Sequence, residues 1–178
     1  MSPITKVATG LVLAFGALRI NGFDLLIDPV GWWLCVAGLS SLRRSPADAF
    51  GVARGFAIAM ICVSTLGLLG ALQGVSALAG TLGGLVTVWL IADAVIRRIR
   101  PEGEDFLATL LDVLRWAVAG LGALGLVAGY GLVPMGIVVV VAWFVALVAL
   151  IAVLYRVAGL PCLGGDQRPF NDGRGAPA

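Results

Sequence analysis

Ionisable residues capable of chemistry stand at three places in an otherwise apolar chain. The first is "RINGFDLLIDP", where Arg19 and Asn21 precede Asp24 and Asp28. Two carboxylates four residues apart share one helix face, and such a pair can hold a cation, a proton or a basic group in an outward-facing pocket. The same residues also make a structural clamp. Asn21-Gly22 is a turn signal, and Asn21 with Asp24 is spaced like a capping box. Carboxylates there suit the positive end of a helix dipole, and Arg19 would close the first helix and pair with Asp24 or Asp28 across the hairpin. The second place is Asp93, four residues before Arg97, the favoured acid-then-base order for a local salt bridge; its other reading is an inner gate or coupling-ion site. The third is Asp112, with Arg115 three residues on.

Catalytic chemistry finds little else to work with. The chain has no histidine, which removes the commonest metal ligand and the commonest general base at neutral pH. Cys35, Cys62 and Cys162 are far apart and form no metal-ligand spacing. Cys35 and Cys62 fall in apolar stretches, where cysteine behaves as a small hydrophobe. There is no P-loop, no dinucleotide fingerprint after a strand, no HExxH and no GxSxG. The expectation is no catalytic residue, no metal and no cofactor; a membrane enzyme acting at the outer leaflet through Asp24 and Asp28 is the remaining enzymatic reading. A net charge of +2 with no clustered basic face gives nucleic acid no footprint.

The elements that position these residues follow from hydropathy. Apolar residues make up 60% of the 178 and charged residues 12%, against roughly 25% charged in an average soluble domain, so the solvent has to be a bilayer. Six apolar stretches run over about 3–21, 23–42, 55–72, 76–96, 106–130 and 132–157. A helix needs about 20 residues to span a membrane, and backbone groups in lipid must be satisfied internally. The fold class is therefore all-α, a polytopic bundle of about six spans arranged as three hairpins, in one domain over 1–158. Residues 159–178, rich in Gly and Pro, form a flexible cytoplasmic tail.

Orientation comes from the arginines. Arg43, Arg44, Arg54, Arg97, Arg98, Arg100 and Arg156 flank one set of loops, whereas the loops near Gln73 and Gly131 have no basic residue. The positive-inside rule then places both termini in the cytoplasm. Trp32 and Trp33 mark the outer interfacial belt, and Pro29 bends the second helix. The first stretch has a second reading as a signal peptide. Residues 103–115 either lie along the cytoplasmic interface before a turn at Trp116 or continue straight into the fifth span. Glycines four apart in "GALQG", "GTLGG" and "GLVAG" allow close helix approach.

Around "INGFDLLIDPVGWW" the chain resembles a group of small, uncharacterised bacterial multi-pass membrane proteins through Gly22, Phe23, Asp24, Leu25, Leu26, Asp28, Gly31 and Trp32. The resemblance implies a recurring design and brings no activity. The bias to arginine over lysine and to Ala, Gly and Val points to a G+C-rich bacterial genome, hence to a bacterial inner membrane. The expected role is a non-enzymatic scaffold or accessory subunit. Its partners are the bilayer and either a second copy or another membrane protein. The alternative is a small oligomeric transporter or channel using Asp24 and Asp28 outside and Asp93 inside.

Overall fold

The computed structural model describes residues 1–16, 27–43, 45, 47–68, 73–128 and 133–163. Among them are six α-helices and no strand: α1 (Pro3–Gly16), α2 (Ile27–Leu42), α3 (Ala49–Leu68), α4 (Gln73–Ile99), α5 (Asp105–Ala128) and α6 (Val133–Val157). Short 3-10 turns follow α4 (Arg100–Glu102) and α6 (Pro161–Leu163). The chain is thus an all-α helical bundle. Four helices are long and apolar enough to cross a membrane, over Ala49–Gly67, Leu78–Glu102, Asp105–Val127 and Gly136–Val157. The described parts of α1 and α2 have 14 and 16 residues. The remainder of the first two expected spans, the turn before Pro29 and the tail beyond residue 163 lie outside the described residues.

Each helix packs on its neighbour in sequence, and α6 returns to α1, so the six close a ring. Buried residues recur every three or four positions, as a helix burying one stripe requires: Ile4, Val7 and Leu11 on α1; Trp32, Cys35, Leu39 and Leu42 on α2; Phe50, Ala53, Ala57 and Met60 on α3; Leu147, Leu150, Leu154 and Val157 on α6. The opposite faces are no more polar. Ile137, Val138, Val141, Val145 and Val148 of α6 and Val113, Trp116, Leu124 and Val127 of α5 are exposed. Helices that are apolar all round belong in lipid, and this surface is compatible with an integral membrane protein.

Three boundaries differ from the hydropathy reading. Helix α3 starts at Ala49 rather than near residue 55, because Phe50 and Ala53 are core residues. Its Arg54 need not leave the helix: Nε donates to Ser40 Oγ of α2 at 2.8 Å. Helix α4 continues past Ile96 to Ile99, so Arg97 and Arg98 occupy its last turn, where cations meet the negative end of the helix dipole. Helix α5 runs unbroken from Asp105 through Trp116 to Ala128. The interfacial reading of 103–115, with a turn at Trp116, is therefore replaced by one continuous helix.

The closest helix approach is also elsewhere than expected. A Cβ added to Gly10 of α1 would lie 2.5 Å from Gly31 O and 2.7 Å from Cys35 Sγ of α2. One on Gly31 would lie 2.6 Å from both Gly10 O and Ala14 N, and one on Gly38 would lie 2.5 Å from Pro3 O. Backbone therefore meets backbone along the α1–α2 seam, as small residues permit in lipid. Of the glycines in the expected motifs, Gly80 faces open space and Gly125 makes only ordinary contact, but Gly84 lies against Phe15 of α1 and Gly83 beside it against Met60 Sδ of α3, where a Cβ would stand at 2.5 Å. Gly70 and Gly129 lie outside the described residues. Adding a methyl at Gly31 forces two helix backbones apart, so Gly31→Ala is expected to destabilise by about 1–3 kcal/mol. Gly55, with nothing near it, should accept alanine neutrally or gain up to about 1 kcal/mol in helix propensity. Unfolding midpoints of the two variants in detergent check the contrast.

Candidate functional site: an ion cluster between α4 and α5

Asp93 lies six residues before the end of α4, and both its oxygens are engaged. Arg97 Nε donates to Oδ2 at 2.7 Å from the next turn of the same helix. Arg115 Nη1, from α5, donates to Oδ1 at 2.6 Å. The other arm of Arg115 pairs with Asp112 Oδ1 at 2.6 Å, one turn back on α5. The guanidinium also lies over the Trp89 ring, 4.5 Å from its centroid, and Trp89 meets Trp116 edge to face, with centroids 4.5 Å apart. The local salt bridge read from the sequence is thus one arm of an interhelical cluster. Its hub is Arg115, bound by two carboxylates and an aromatic face.

Why these residues converge follows from helix geometry. Trp89, Asp93 and Arg97 are four apart, on one face of α4; Asp112 and Arg115 are three apart on α5, a spacing that makes side chains neighbours. A guanidinium ten residues into an apolar helix needs a counter-charge from inside the bundle. Asp93 is the acid that α4 presents there. Burial grades the strength of the pairs: the Arg115 side chain is 16% exposed, while that of Arg97 is 73% exposed. Charges cancel across Asp93, Asp112, Arg97 and Arg115, which keeps the desolvation cost of the group low.

A second cluster is aromatic. Phe15 of α1 meets Trp32 of α2 and Trp143 of α6 edge to face, at 5.8 and 5.9 Å between centroids. Gly84 of α4 leaves the room: a Cβ there would lie 3.4 Å from Phe15 Cζ. Helices α1 and α4 stand opposite in a ring of six, so this contact fills the centre at that level. Trp32 is therefore a core residue, 3% exposed, and Trp33 alone of the pair faces outward at 62%. Of the two tryptophans expected at the interface only Trp33 is on the surface, because adjacent helix positions point about 100° apart.

The opening stretch is only partly placed. Asp28 sits in the first turn of α2 and has an interaction of its own, whereas Arg19, Asn21 and Asp24 lie outside the described residues. Cys35 is buried and Cys62 exposed. Cys162 is half-buried, and burial, with the negative charge of Glu102 behind it, pushes its thiol above the ordinary range; a thiol held protonated is a poor nucleophile. No group of His, Cys, Asp and Glu suited to hold a metal ion occurs among the described residues.

Comparisons with protein-family models, curated proteins and solved structures find no match to this chain. The geometry itself makes the cluster's test. Asp93→Asn would leave Arg115 short of one of its two charged partners at a largely buried site, an expected loss of about 2 kcal/mol, between surface and fully buried ion pairs. Arg97→Gln removes only the exposed arm and is expected to cost less than about 0.5 kcal/mol. Chemical unfolding of the two variants in the same detergent gives the comparison.

Proposed function

We propose that the protein is a multi-pass membrane protein with a non-enzymatic role, a scaffold or accessory subunit whose bundle is held rigid at its basic end. The observation that carries this reading is that both oxygens of Asp93 are held by arginines. A coupling-ion or proton site needs a carboxylate that gains and loses its ligand in turn. Asp93 has one oxygen on Arg97 and the other on Arg115, and arginine does not release its proton in proteins. Such an acid works as a fastener. The aromatic contact across the ring, Phe15 to Gly84, supports the same reading over a channel, because it fills the centre at that level.

The remaining parts of the proposal rest on composition. Arg43, Arg97, Arg98, Arg100 and Arg156 stand at or beyond the ends of α2, α4 and α6. In an alternating bundle these ends share one side, which the positive-inside rule makes the cytoplasm. We read the membrane as a bacterial inner membrane and the exposed valine face of α6 as a surface for lipid or for a partner.

Native mass spectrometry on protein extracted gently from its own membranes is the test. The expected result is a stoichiometric assembly with a second membrane protein. A homo-oligomer alone, in which Asp93→Asn leaves both assembly and unfolding midpoint unchanged, would overturn the reading and move attention to transport.

A further inference from the structure

The ion cluster opens at its basic end into a cleft of about 510 Å³, lined by three arginines, Arg97, Arg100 and Arg115, and two aspartates, Asp93 and Asp112. Ile96 and Pro101 supply its apolar wall. The five charges leave a surplus of one positive charge. Their arrangement matters more than the sum. Arg115 is spent between the two carboxylates, and its Nε is buried with no acceptor. Arg97 commits only Nε to Asp93, so its terminal nitrogens keep open donors on a side chain that is mostly exposed. Arg100 is exposed and makes no side-chain hydrogen bond or ion pair with any described residue. Two guanidinium groups with free donors therefore stand at the rim of a cleft whose floor is internally neutralised.

The surroundings of the cleft are apolar in a directed way. On α5, Trp116 is exposed beside the cluster, against Trp89; Val113 and, about two turns before it, Phe106 are exposed on the adjoining face of the same helix, outside the cleft itself. Planar guanidinium forks match the oxygens of a phosphate, and basic pockets between helices at the cytoplasmic side suit anionic lipid headgroups. A soluble anion would use the arginines and ignore Phe106, Val113 and Trp116. A phospholipid uses both, with its phosphate in the cleft and its acyl chains along the exposed face of α5.

We propose that the cleft at the end of α4 and α5 binds a phosphate group through Arg97 and Arg100, and that its occupant is an anionic phospholipid of the adjacent leaflet. The inference rests on the reading of α4 and α5 as membrane spans and goes beyond the scaffold role. Arg100 takes no part in the Asp93–Arg115 lock, so the two ideas fail separately: the lock through Asp93, the lipid site through Arg100.

The test uses the full chain in nanodiscs of equal parts phosphatidylglycerol and phosphatidylcholine, with native mass spectrometry reading the lipids that stay bound. The expected result is a preference for phosphatidylglycerol that falls about tenfold, or about 1.4 kcal/mol, in Arg97→Gln/Arg100→Gln, and falls in part in Arg100→Gln alone. Arg100→Gln should keep the parent's unfolding midpoint, and the double variant should shift it by no more than Arg97→Gln does alone. The charge-matched control Arg43→Gln/Arg156→Gln should retain the preference. No preference in the parent, or an equal loss in the control, would overturn the proposal, since general surface charge would then explain any binding. A second arm adds inorganic phosphate to delipidated protein in detergent. Binding there that depends on Arg100, without lipid preference in nanodiscs, overturns the lipid as occupant and assigns the cleft to free phosphate.

Discussion

The Arg115 guanidinium is the constraint around which the basic end of the bundle is arranged. A permanent cation placed ten residues into an apolar helix is costly in lipid unless other groups solvate it. Here Asp93, Asp112 and the Trp89 ring do so. That requirement explains several features at once. Helix α5 must be helical from Asp112 to Arg115 for the three-residue spacing to bring that carboxylate to the guanidinium, and it runs on unbroken through Trp116. Helix α4 must stay helical past Ile96 for Arg97 to reach back to Asp93. The neighbouring tryptophan, Trp116, then packs its edge on Trp89 and extends the cluster to the outer surface.

Two of the ring's six seams, α1–α2 and α4–α5, solve the same problem differently. Between helices in lipid there is no hydrophobic driving force, so association depends on close packing or on polar contacts. Helices α1 and α2 use packing: Gly10, Gly31 and Gly38 let two backbones touch. Helix α5 has much less packing available, with 11% of its span buried against 44% for α4. An ion pair to α4 compensates for contacts that α5 does not make. The lock lies where packing is thinnest.

These arrangements bear on function through what they leave free. Both oxygens of Asp93 are held by arginines, and Phe15 of α1 reaches across the ring to Gly84 of α4. The groups with unused donors are Arg97 and Arg100 at the rim, beside exposed aromatic and aliphatic side chains. The end of the bundle at α4 and α5 is thus fastened by charge and edged with open guanidinium groups.

The all-α class, the six helices and the i,i+4 pairing of Asp93 with Arg97 were legible from the chain, because hydropathy and helix periodicity are local properties. So was the Asp112–Arg115 pair. The partnership of Arg115 with Asp93 was not, since 22 positions separate them and only the register of α4 against α5 brings them together; a lone arginine deep in an apolar helix was the available signal. Nor could spacing tell which glycines matter. The motif glycines Gly80 and Gly125 are roomy and Gly84 is not, while Gly10, Gly31 and Gly38, in no repeated motif, carry the seam where backbone meets backbone. Trp32 and Trp33 look alike in sequence, and rotation about the helix axis makes one core and the other surface. Which segments are helical, and that their surfaces are apolar enough for lipid, follows from side-chain chemistry counted along the chain. Tertiary structure decided which charges neutralise each other and which remain open to a ligand, because that depends on distances between helices that no local pattern encodes.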